Sequence, residues 1–176
     1  MTTEFVRDAA ATVAIFGFFG SVWFGWAQEK PPTSWRPWLL TGSVVSLVTM
    51  VAGGLLVWRH WNDGTVFDED TSKTFGVVVG IEFVVAGIGA AVLGARGRKN
   101  FIPVWIALVV GVHLFPVAVI TGSPIIHLVA ALVTIAALAA IPVARSLPVS
   151  ATTGLGAGTV LLVGALIFLV TALLQA

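Results

Sequence analysis

The 176-residue chain has no cysteine, which excludes disulfides, thiolate metal sites and cysteine nucleophiles and says nothing of redox compartment. Charge is scarce as well. Asp, Glu, Lys and Arg make up 10% of the residues, where ordinary soluble domains hold about 25%. No stretch between the apolar runs is long enough to fold alone, so no soluble domain is expected. Beyond the turn Arg96-Gly97-Arg98-Lys99-Asn100 there is no basic stripe, which argues against nucleic acid as a partner. A GxSxG nucleophile motif and a phosphate loop are both missing. Gly154-x-Gly156-x-Gly158 opens an apolar run, whereas a dinucleotide fingerprint follows a strand. The start, MTTEFVRDAAATVAIF, lacks a basic leader, because Glu4 and Asp8 offset Arg7, and no small-residue cleavage site follows a short apolar core. The first apolar run is therefore expected to be a retained helix.

What the chain does have is apolar sequence, 58% of it, with a mean hydropathy of +1.04. Six runs lie at about 9–28, 37–58, 73–95, 101–121, 124–144 and 152–175, each near the roughly 20 residues that cross a bilayer core. None alternates with period two, which excludes a barrel. Backbone groups in hydrocarbon must then be satisfied within each segment. The expected fold is all-α, an integral membrane bundle of six transmembrane helices forming one domain over residues 1–176. Small residues mark packing faces: Gly17, Ser21 and Gly25 in the first run, and Ser43, Ser46, Thr49 and Gly53 in the second. In the third run Gly80, Gly87 and Gly94 form one stripe, and Glu82, Ala86 and Gly89 another. Two small faces predict that helix three lies inside the bundle, with helix four beside it at the centre.

The third and fourth runs each carry one ionisable side chain deep in apolar sequence, Glu82 and His113. At about 1.5 Å of rise per residue, counting from the basic turn puts the two within one helical turn of each other in depth. Helices joined by so short a turn pack together, so contact is expected if the faces agree. An acid at that depth is neutral, paired or hydrated. A neighbouring imidazole makes it a coupled proton pair. Pro116 leaves the Val112 carbonyl without its helical donor and predicts a kink beside the histidine. His127, one turn into the fifth run, extends the set toward the far surface as a third ligand or proton-binding candidate. Ser46, with Ser43 and Thr49, is a candidate for the other half of a polar path, against the plainer expectation that such hydroxyls bond their own preceding turn. Two histidines and a glutamate match the ligand set of some zinc sites. They come from three helices without HExxH spacing, so no metal and no cofactor are expected.

FIPVWIALVVGVHLFPVAVI, with GIEFVVAGIGAAVLGARGR before it, resembles uncharacterised small multi-pass membrane proteins of bacteria. In those, a histidine followed by an aromatic and a proline recurs in a helix entered through a basic turn. The resemblance covers about a quarter of the chain, implies a bacterial inner-membrane location and brings no activity and no site residue with it.

Lys and Arg placement orients the bundle. The side of the basic turn holds Lys30, Arg36, Arg96, Arg98, Lys99 and Arg145, and the opposite side Arg7, Arg59 and Lys73. Six against three puts the basic turn in the cytoplasm and both termini outside. The expected function is a small membrane transporter or permeation protein, proton-linked, with the Glu82–His113 pair at its midplane. Its partners are membrane lipids, a small solute or proton, and a second copy if six helices are too few alone. The alternative is a non-catalytic protein that binds a lipid or a partner helix, followed by an intramembrane metal hydrolase.

Overall fold

The computed structural model describes residues 5–176; Glu4, used above to weigh the N-terminal charge, lies outside them. Six helices follow one another: α1 Val6–Ala27, α2 Arg36–Arg59, α3 Glu69–Ala95, α4 Ile102–Ile120, α5 Pro124–Val143 and α6 Val149–Gln175. There is no strand among the described residues. All six helices are long and apolar enough to cross a membrane. The chain is an all-helical, multi-pass membrane protein.

The helix ends follow from local chemistry. Asp68 caps α3 by accepting the Thr71 amide at 2.7 Å, and Ser123 caps α5 by accepting the Ile126 amide at 3.4 Å. Prolines 37, 103 and 124 stand in the first turns of α2, α4 and α5, where a missing amide costs nothing. Gly97 and Gly122 end α3 and α4 at φ of 69° and 60°. That conformation turns the chain back so that the amides of Arg98 and Ser123 reach the carbonyls of Leu93 and Ala118.

The core runs between α1, α4, α5 and α6, with Val13, Phe16, Val133, Leu161 and Phe168 buried in it. Phe16 and Phe168 meet edge to face, ring centroids 6.1 Å apart. Small residues set the closest approaches. Gly17 lies against the backbone at Ser46 and Met50, Gly53 against Ala10 and Ala14, and Gly154 against Trp23 and Ala27. The α2 stripe thus packs on α1.

Helix α3 is a correction to the sequence reading. None of its residues is buried, and among the six helices it packs on α4 alone. Gly80, Gly87 and Gly94 have open space where a side chain would stand. Only the second stripe is used: Gly89 lies under the indole of Trp105, which donates its ring N–H to the Val85 carbonyl at 3.2 Å. Glycine removes an obstacle to close packing but supplies no attraction, so a small face in lipid needs no partner. The centre of the bundle belongs to α1 and α6, with α4 beside them and α3 at the edge.

Candidate functional site

Helix α4 passes through Pro116 without interruption. Lacking an amide, Pro116 leaves the Val112 carbonyl without its helical partner, one residue before His113. On the facing side of α3, Glu82 comes to the same depth. His113 Nδ1 stands 3.3 Å from Glu82 Oε1, and both side chains are about five-sixths buried, at 16% and 15% exposure. The separation is that of an ion pair, yet the angles do not make a hydrogen bond, so Nδ1 is buried without a hydrogen-bond partner. An acid and an imidazole in this position can hold one proton between them and pass it from one to the other.

The pair stands between two spaces. The larger is a cleft of about 410 Å³ between α3 and α4, lined by Glu82, His113, Pro116 and Trp105 with apolar neighbours such as Ile81 and Val85. The smaller, about 100 Å³, lies on the other side of His113 and extends toward the N-terminal end of α1, where Asp8, Thr12, Phe67 and Thr121 line it. His113 belongs to both walls.

Asp8 is the residue that sequence reasoning missed. It is 6% exposed and holds the α2–α3 loop: Thr65 Oγ1 donates to one carboxylate oxygen at 2.7 Å and the Val66 amide to the other at 2.8 Å. Beside it the Arg7 guanidinium donates to the Trp61 carbonyl at 3.1 Å and lies 4.6 Å from the centroid of the Trp61 ring. An aspartate in a first helical turn ordinarily answers the helix dipole and water. The one available sign was Thr65 next to a β-branched residue in a loop otherwise rich in acids.

The other candidates lie elsewhere. His127 is exposed, with Nδ1 3.1 Å from the Ser123 carbonyl and its ring against Phe115. Phe115 is two residues, about 200° around the helix, from His113. His127 is therefore turned away from the pair, and the expected three-step series is not formed. Ser46 is fully buried against Gly20 in the α1–α2 seam, its hydroxyl without a partner. Helix α2 touches neither α3 nor α4 among the described residues, so Ser46 does not continue a path from Glu82. Ser43 reaches the Ser21 carbonyl and Thr49 that of Val45. No three metal-ligating side chains come together among the described residues.

Comparison with protein-family models, curated proteins and solved structures finds no match to this chain, so the site stands on its own geometry.

Proposed function

We propose that the chain is a small proton-linked transporter or permeation protein of the bacterial inner membrane, in which Glu82 and His113 bind and hand over the coupled proton. The observation that carries this reading is the position of His113, 3.3 Å from Glu82 and in the wall of both cavities. A proton reaching His113 from the Asp8 side can move to Glu82, which opens on the α3–α4 cleft. The excess of Lys and Arg around the basic turn supports a cytoplasmic turn and external termini. In that orientation the Asp8 cavity is the outer approach.

Purified protein in proteoliposomes with an internal pH dye tests the reading under an imposed potential. Wild type is expected to carry protons, with Glu82→Gln at least tenfold slower. Equal rates, or two silent preparations, overturn it. The second reading, a non-catalytic lipid- or partner-binding protein, draws on the open glycine face of α3. It predicts no proton flux from either form.

A further inference from the structure

We propose that the α3–α4 cleft is a binding site for an amphipathic organic cation that approaches from the bilayer and displaces the proton of the Glu82–His113 pair. The inference rests on the coupling role given to that pair, and adds the chemical class of the solute.

Size comes first. A space of about 410 Å³ falls within the roughly 300–1,000 Å³ of small-molecule sites. It is open to the surface, and Ile81, one of its lining side chains, is 59% exposed. A ligand therefore has a lateral approach through the apolar surface and need not cross the packed centre. The walls are hydrocarbon except at the pair, so the ligand must be largely apolar.

Charge decides the rest. No Lys or Arg lines the cleft. An anion would meet a carboxylate with no fixed counter-cation, and a neutral amphiphile would leave Glu82 as it found it. A cation on an apolar body supplies the partner that an intramembrane carboxylate otherwise takes from a proton. Trp105 adds a second element. Its ring lines the cleft and is fixed in place by the bond to Val85, presenting an aromatic surface of the kind that attracts organic cations.

The exchange balances. The pair releases one proton to water, Glu82 becomes the carboxylate facing the bound cation, and the net charge of the cleft is unchanged. The facing titratable groups are few: Glu82 from α3, His113 from α4, and Asp8 from α1 across the smaller cavity. Thermodynamic linkage then makes affinity rise by up to about tenfold per pH unit while the pair is protonated.

Titration calorimetry of the detergent-solubilised protein with tetraphenylphosphonium, in two buffers of different ionisation enthalpy, tests this. Expected are a saturable site, close to one proton released per cation, and tighter binding as pH rises. Glu82→Gln abolishes the site, and its elution and melting profile establish that it is folded. Ile81→Trp puts a bulkier side chain in the exposed lining of the cleft while keeping both Glu82 and His113, and weakens binding at least tenfold. Tetraphenylborate does not bind. Binding that is equal in wild type and Glu82→Gln, equal for the borate, or unaccompanied by proton release overturns the inference, as does a tightly held lipid that the cation fails to displace. The outcomes separate from those for transport. Proton flux without cation binding sinks this inference alone, whereas cation binding without flux sinks the transport reading and leaves a binding protein.

Discussion

A carboxyl group in hydrocarbon exists as the neutral acid, beside a cation, or in contact with water, and Glu82 is placed where all three are within reach. The imidazole of His113 is 3.3 Å away, and a cleft opens beside it. Asp8 shows a different solution to the same problem. Its two oxygens accept from Thr65 and Val66, and hydrogen bonds to a charged acceptor are worth about 1.5–3 kcal/mol each. Replacing Asp8 with Ala leaves the Val66 amide and the Thr65 hydroxyl without an acceptor. The expected cost is about 3 kcal/mol, with faster amide exchange at Val66 and Phe67 and no change in the α3–α4 contact. Hydrogen-exchange mass spectrometry reads both, and unchanged exchange in the loop would show that the carboxylate does not hold it. The two residues also differ in how legible they are from sequence. Glu82 and His113 stand out because helical rise and a short turn fix their depths without any tertiary information. Asp8 looks like a solvated helix start, because its partners are 57 and 58 residues away in a loop whose path no local rule predicts.

At the scale of elements, the six helices were legible to within a few residues, since apolar length and capping chemistry are local properties. The packing order was less so. Glycine spacing marks where close approach is allowed, and on α3 only Gly89 has a neighbour occupying that space, while Gly87 faces open space. Two substitutions separate the cases. Gly89→Val drives a side chain into the Trp105 indole and breaks its bond to Val85. It should cost about 1–3 kcal/mol and loosen α3 from α4, seen as accelerated proteolysis of the α3–α4 turn. Gly87→Val should stay within about 0.5 kcal/mol. If both are equally harmless, Trp105 does not clamp the hairpin. The other end of α3 depends on pH. The Thr71 amide and hydroxyl hold the Asp68 carboxyl below its usual value. A carboxyl lowered in the folded state stabilises above its unfolded value, near 3.9, and that contribution is lost as pH falls through the folded value. Amide exchange in the first turn of α3 should therefore open below about pH 4. Asp68→Asn, which keeps a capping oxygen but does not titrate, should remove the dependence.

Across the whole molecule, orientation is a property that neither packing nor the Glu82–His113 geometry determines, because a bundle packs equally well either way up. What breaks the symmetry is the distribution of nine Lys and Arg side chains. Six lie on the side of the basic turn, three of them in the turn itself at 96, 98 and 99. The absence of native cysteine makes the side of any position directly measurable. Asn100→Cys and Asp70→Cys introduce single thiols at exposed sites on opposite sides of the bundle. In intact cells stripped of the outer barrier, a membrane-impermeant maleimide should label the cysteine at 70 and spare the one at 100 until the membrane is opened. Changing Arg96, Arg98 and Lys99 together to Gln leaves three basic residues on each side and removes the bias. Labelling at both positions should then appear in intact cells, as two populations of opposite orientation. If orientation survives that triple change, the basic turn does not set it. If the single thiols label the other way round, the smaller cavity beside Asp8 faces the cytoplasm. On the transport reading proposed above, the proton would then enter the Glu82–His113 pair from inside, and the direction of coupled movement would be reversed.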